Sequence, residues 1–197
     1  RRAATVSAGA ATPRHHVQTF RPHHVLPNPF ATMINAPVPP QRLLFVCLGN
    51  ICRSPAAEGV FLHLVKQRDL GNHFLVDSAG TGGWHVGRPA DQRMQAAAKR
   101  RGIDLPSRAR QLDLGDLEQF DLILTMDADN LLAVQNLARE AGERATAQVR
   151  PMLSYARRHQ VSEVPDPYYG GADGFEQVLD LLEDACEGLL EELSPRA

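Results

Sequence analysis

Residues 42–55 read RLLFVCLGNICRSP, and the organisation of the chain can be read outward from this stretch. Arg42 to Cys47 is a short apolar run, the pattern of a strand buried on both faces. Ser54-Pro55 then offers a helix-capping side chain followed by proline at the first helical position. After it, Ala56, Ala57, Val60, Phe61, Leu64 and Val65 recur at helical spacing. The expected unit is strand, tight loop, helix. The loop contains Gly49 and Asn50, the residue types that most readily take left-handed backbone conformations.

The alternation continues downstream. His73–Ser78 reads as a second strand, Asp91–Arg101 as a helix stopped by Gly102, and Asp121–Met126 as a third strand. Asp127–Ala141 reads as a helix and Ala147–Leu153 as a fourth strand. Phe175, Val178, Leu179, Leu182, Ala185, Cys186, Leu189 and Leu193 share one face of a last helix. Such a pattern predicts an α/β fold: a single doubly wound, four-stranded parallel sheet with helices on both faces. Sheets of this kind bind ligands beyond the carboxyl ends of their strands, which makes the loop after the first strand the default place to look for chemistry.

Composition bounds the rest. The 197 residues are 43% hydrophobic and 22% charged, the mix of an ordinary globular domain rather than of a collagen or a fully disordered chain. A formal net charge of −2 indicates no general attraction to nucleic acid or anionic lipid. No run of about 18 apolar residues occurs, so no membrane-spanning helix is expected. Three cysteines cannot all pair within the chain and suit a reducing compartment, so the expected location is cytoplasmic.

The charge is uneven. Residues 1–40 hold Arg1, Arg2, Arg14 and Arg21, no acidic residue, and seven of the 14 prolines; the remainder carries 17 basic and all 23 acidic side chains. That Pro/Arg/His-rich stretch has no apolar period and is expected to be a disordered tail ahead of a folded domain at 41–197. Residue 1 is Arg, and residues 1–32 are read as an extended start ahead of Met33, with an organelle-targeting segment or a binding arm as alternatives.

Cys47 to Arg53 carries the chemistry. A cysteine ends a buried strand, and after five intervening residues an arginine opens a helix. Backbone N–H groups of such a loop can turn inward as an anion nest, and the helix N-terminus adds its positive dipole end. Arg53 offers two parallel donors to two oxygens of one phosphate. The same field favours thiolate over thiol, which makes Cys47 a nucleophile facing a bound oxyanion. This describes a phosphatase working through a cysteinyl-phosphate. The stretch is no Walker loop, since no G-K-[ST] follows, and Cys47-x4-Cys52 has no second ligand pair to make a zinc site.

VCLGNICRSPAAEGVF resembles the signature of the low-molecular-weight protein tyrosine phosphatases. Asp77-Ser78-Ala79-Gly80-Thr81, Trp84-His85-Val86-Gly87, Ser107-Arg108-Ala109-Arg110-Gln111, Met126-Asp127 and Val164-Pro165-Asp166-Pro167-Tyr168-Tyr169-Gly170 resemble later segments of that family, in order. The resemblance implies that Cys47 is the nucleophile, Arg53 the transition-state stabiliser, and Asp166 the general acid and then base. It implies that Leu48, Gly49, Asn50, Ile51 and Cys52, with Arg53, present N–H groups to the phosphate. Ser54 would hydrogen-bond the Cys47 sulfur. Asn50 would hold the strained loop, with Ser78 as its partner. Trp84, Tyr168 and Tyr169 would line the slot for an aromatic ring. Cys52 would protect Cys47 through a reversible disulfide. No metal and no cofactor is implied, and the expected partner is a phosphotyrosine-containing protein, met as a monomer.

Several residues have plainer readings. Asp166-Pro167 is by itself a turn signal. Cys186, on the apolar stripe, is expected in the core. His63 and His85 read as surface or packing histidines. Three other activities fit the same frame less well. A thioredoxin-coupled arsenate reductase needs a relay of cysteines, and only Cys186 remains. Arginine phosphatases resemble this loop with threonine in place of Ile51. A phosphocarrier needs a stable phosphocysteine, whereas Arg53 and Asp166 promote turnover.

Overall fold

A computed structural model describes residues 39–194. The tail expected at 1–40 therefore lies outside the described residues, apart from Pro39 and Pro40.

Four strands form one sheet: β1 (Gln41–Cys47), β2 (Phe74–Gly80), β3 (Leu122–Thr125) and β4 (Gln148–Pro151). Their spatial order is β2-β1-β3-β4, and every pairing is parallel. β1 is central, and Leu43 to Cys47 are all buried, which explains its lack of polar alternation. Its side chains still alternate between layers. Leu43, Phe45 and Cys47 face one core, shared with α1 (Arg53–Gln67), α2 (Gln92–Arg100) and α5 (Ala172–Leu193). Leu44 and Val46 face the other, with Leu117 of the short α3 (Asp116–Gln119) and Val134 of α4 (Ala128–Ala141). Helices thus cover both faces, as doubly wound sheets require.

Most expected elements are present with shifted ends. β2 runs two residues beyond Ser78, because Ala79 and Gly80 continue the ladder opposite Val46 and Cys47. The fourth strand is shorter than expected. Pro151 has no N–H to extend the ladder, and Met152–Tyr155 turn into a 3₁₀ segment that buries Met152, Leu153 and Tyr155. Asp91 and Asp127 cap α2 and α4: Asp91 accepts from the Arg93 N–H and Asp127 from the Asn130 N–H. In α5 the expected apolar stripe is buried from Phe175 to Leu189, and Cys186 is fully enclosed in it, its Sγ 3.7 Å from the Ala57 carbonyl. Among the described residues no helix is long and apolar enough to cross a membrane.

Because β2 lies on one side of β1 and β3 on the other, the loop leaving β1 sits where the sheet order reverses. Chains running out to either side open a crevice there, at the carboxyl ends of the strands.

Candidate active site

The loop leaving β1 is Leu48 to Cys52. α1 starts at Arg53, with Cys52 at its N-cap position and no side-chain cap. The expected cap at Ser54 is therefore displaced by two residues. Pro55 still falls in the first turn, where a missing N–H costs no helical bond. The Ser54 hydroxyl turns back instead, to 3.0 Å from Cys47 Sγ, while the Asn50 N–H points at the same sulfur from 3.3 Å.

Asn50 organises the loop from behind. Its φ is +52°, the left-handed region that asparagine tolerates. Its Nδ2 donates to Ser54 Oγ and to Ser78 Oγ, each at 2.9 Å, and its Oδ1 accepts the Arg110 N–H at 2.9 Å. Ser78 in turn donates to Glu58 Oε2 at 2.6 Å. Burial pushes the Glu58 carboxyl above the usual range, against the lowering effect of that hydrogen bond. Asn50, Ser54, Ser78 and Glu58 are all buried. The loop also packs on bare backbone: a Cβ at Gly80 would lie 2.9 Å from the Leu48 carbonyl oxygen.

Arg53 is only 3% exposed and its guanidinium has three partners. Nη1 meets Asp127 Oδ2 at 2.5 Å and the Val164 carbonyl at 3.2 Å, and Nη2 meets Asp166 Oδ2 at 2.8 Å. A buried guanidinium needs such compensation. Asp166 is half-exposed, and its Oδ1 accepts the Tyr168 N–H. The segment carrying it is pinned by Val164, whose N–H donates to the Met126 carbonyl at 2.8 Å, and by Glu163, whose Oε1 accepts the Ala128 N–H.

These groups surround a pocket of about 330 Å³. Cys47, Leu48, Gly49, Ile51, Cys52 and Arg53 line it from the loop. Trp84 and His85 line it from the segment between β2 and α2, and Asp166, Tyr168 and Tyr169 from the segment before α5. Trp84 is 71% and Tyr169 95% exposed, so the aromatic lining is a rim rather than a buried wall. The two tyrosine rings meet edge to face at 5.0 Å. Arg93, held by Asp91, stacks over Tyr168 at 5.5 Å and over Phe175 at 4.7 Å.

All the residues expected at the site are thus brought to one end of the sheet, either lining the pocket or behind its loop. Cys52 is buried, which pushes its thiol up to about 12 and leaves it protonated at neutral pH. Three contributors were missed from sequence. His85 was read as surface or packing but lines the pocket beside Trp84. Asp127 stands in the sequence reading as a helix start and as part of a family-like segment, with no role of its own, yet its second oxygen holds Arg53. Glu58 carried a findable signal, lying four residues after Ser54 and so on the same helix face. Among the described residues no group of three or more His, Cys, Asp or Glu side chains is placed to hold a metal ion.

A sulfur under an N–H and a hydroxyl, beside a buried guanidinium and a carboxyl, is suited to covalent catalysis on a tetrahedral oxyanion. The sequence matches the family model of low molecular weight phosphotyrosine protein phosphatases over residues 42–196. It is 47% identical over 151 residues to the low molecular weight protein-tyrosine-phosphatase of Streptomyces coelicolor, covering 76% of this chain and 91% of that one. The fold is similar to a protein tyrosine phosphatase from Entamoeba histolytica, crystallised with Hepes in the active site. The TM-score is 0.74 and the identity 42%, with 78% of this chain and 96% of that one covered. It is also similar to a Drosophila arginine phosphatase, with a TM-score of 0.74 and 33% identity, covering 79% and 99% of the two chains. With a family match over almost all the described residues and relatives matched along nearly their whole length, the chain belongs to the low molecular weight phosphotyrosine protein phosphatases.

Proposed function

We propose that the chain hydrolyses phosphotyrosine in proteins through a cysteinyl-phosphate, with Cys47 as nucleophile, Arg53 as transition-state stabiliser and Asp166 as general acid and base. The observation that carries this reading is the convergence of Cys47 Sγ, Arg53 and Asp166 on one pocket rimmed by Trp84, Tyr168 and Tyr169.

The substrate phosphate enters over the loop and takes Arg53 donors now shared with Asp166. The Cys47 thiolate attacks phosphorus in line with the phenolic oxygen. The P–O bond breaks, and the protonated Asp166 carboxyl gives its proton to that oxygen, because phenolate is otherwise a poor leaving group. In the second step Asp166, now a carboxylate, takes a proton from water as the water oxygen attacks phosphorus. The S–P bond breaks, inorganic phosphate forms, and the Ser54 hydroxyl stabilises the departing sulfur. The loop N–H groups and Arg53 follow the oxygens through both steps. Nothing in this sequence requires a cofactor.

Cys52, in the same loop and lining the same pocket, is suited to capture an oxidised Cys47. Attack of its sulfur on a Cys47 sulfenic acid expels water and leaves a disulfide that a thiol can reduce. Phosphoarginine is the second reading, favoured by the likeness to the Drosophila enzyme.

The test is pre-steady-state release of p-nitrophenol from p-nitrophenyl phosphate, under reducing conditions without added metal. The expected result is a burst of one equivalent followed by turnover, absent in Cys47→Ser. Turnover preserved in that variant would overturn the mechanism. Faster hydrolysis of phosphoarginine than of phosphotyrosyl peptides would replace the substrate.

A further inference from the structure

We infer that Gly82 is a specificity-determining residue: by leaving its backbone bare it lets the Trp84 indole lie flat across it, and so sets the aromatic wall of the pocket. The inference rests on the proposed phosphotyrosine reading and adds the residue that tunes it. A Cβ built at Gly82 would lie 1.7 Å from Trp84 Cζ3, 2.3 Å from Cε3 and 2.4 Å from Cη2. Real Cβ contacts are never so short, so any side chain at 82 must displace the ring. Gly82 has no left-handed φ, and an alanine there adds no backbone strain. Space, not conformation, is what excludes the side chain.

The platform under the indole is tied to the nucleophile. The Gly82 N–H donates to the Leu48 carbonyl at 2.9 Å, and the Thr81 N–H to the Cys47 carbonyl at 2.9 Å. The backbone that carries the ring is therefore docked on the phosphate loop itself. Trp84 is 71% exposed, and its ring rests against the bare backbone at Gly82. With the ring flat on residue 82, its remaining surface is offered to the pocket that Tyr168 and Tyr169 line from the other loop. An aryl ester gains from that wall. Inorganic phosphate, reaching only the loop, does not.

The exposure of Trp84 makes the test clean, because its ring can move without disturbing the core. Trp84 is also the only tryptophan, so its fluorescence reports this wall alone. Gly82→Ala and Gly82→Ser are compared with wild type and with Trp84→Ala. KM for a phosphotyrosyl peptide is expected to rise about three- to tenfold, the worth of one aromatic contact. The inhibition constant for inorganic phosphate is expected to stay unchanged. Tryptophan emission should shift in the Gly82 variants and lose its response to phenylphosphonate. In the Trp84→Ala background, Gly82→Ala should do nothing further. An unchanged peptide KM with unchanged emission would overturn the inference. So would an equal loss for phosphate and peptide, which would mean that the loop, not the wall, had moved. If wild type itself fails to turn over aryl phosphates, the proposed function has failed; the emission shift still tests the contact with Gly82.

Discussion

Asn50→Ala separates two kinds of strain held at one residue. The substitution removes three side-chain hydrogen bonds, the buried ones to Ser54 and Ser78 and the part-buried one from the Arg110 N–H, and keeps a φ of +52°. The Arg110 N–H loses its acceptor, at about 1–3 kcal/mol if left unsatisfied. The two serine hydroxyls keep their own donors and lose only a bond they accept, roughly 0.5–1 kcal/mol each. Holding alanine in a left-handed conformation adds about 1 kcal/mol. The sum is roughly 3–6 kcal/mol, a large share of the stability of about 5–15 kcal/mol that ordinary domains possess. Asn50→Gly loses the same hydrogen bonds without the conformational cost and should be about 1 kcal/mol more stable than Asn50→Ala. Urea unfolding followed by far-ultraviolet circular dichroism measures both, since the single tryptophan sits on the rim and reports the pocket instead. Both variants should also lose most of their burst amplitude, because the Asn50 N–H no longer has a fixed direction toward the sulfur. A loss below about 1 kcal/mol for Asn50→Ala would refute the reasoning, because buried hydrogen bonds left unsatisfied cannot cost so little. Equal stability of the two variants would refute the conformational part alone.

Asp166→Asn should slow phosphotyrosine hydrolysis far more than hydrolysis of esters with good leaving groups, and equal losses in kcat/KM, which reports the step that releases the leaving group, would remove its role as acid. Cys52→Ser should leave peroxide inactivation intact but make it irreversible by dithiothreitol, whereas full recovery would dispense with the protective disulfide. Asp184 tests pH dependence away from the pocket. Burial alone would raise its carboxyl, but the His159 ring and the N–H groups of Arg157, Arg158 and His159 outweigh that and hold it at about 2. Its folded value lies below its unfolded one, so the stabilisation is full above about pH 4 and is lost as the pH falls toward 2. Asp184→Asn should therefore cost about 2 kcal/mol at pH 7, with a gap to wild type that closes in acid; a gap independent of pH would contradict the assignment.

The parts of the site that were legible in the sequence are those fixed by local physics. An apolar run, a loop with Gly49 and Asn50, and a helical repeat read as strand, loop and helix, and that unit places Cys47 and Arg53 at the two ends of one loop. The fourth strand was read too long because apolar content over Ala147–Leu153 cannot distinguish a ladder from a buried 3₁₀ turn; Pro151 was the signal that the ladder stops. That Asp127 and Asp166 would pair with Arg53 was not legible. Asp127 and Asp166 lie 74 and 113 positions away, and only the parallel order of β1 and β3 brings the first of them to the same end of the sheet. The same holds for the rim, where the bare backbone at Gly82 has meaning only once the Trp84 ring is seen lying on it.

What the fold adds to the motif is a direction for its hydrogen bonds. Arg110 donates to Asn50 Oδ1, so the Asn50 amide must present its NH₂ to both serines. Ser78 then accepts from Asn50, and its single proton goes to Glu58. Ser54 likewise accepts from Asn50, and its single proton has two takers, the Ala79 carbonyl at 3.3 Å and Cys47 Sγ at 3.0 Å. When the sulfur carries charge, the bond to it is charge-assisted and the stronger of the two. The Ser54 O–H can therefore turn toward the sulfur as the S–P bond breaks and turn back to the Ala79 carbonyl when the charge is gone, keeping its proton throughout and with no rearrangement of the residues behind it. Every other position in the chain is already fixed by a donor with nowhere else to point. A loop of five residues could not impose this order by itself; it comes from β2, α1 and the segment at Arg110 closing around Asn50.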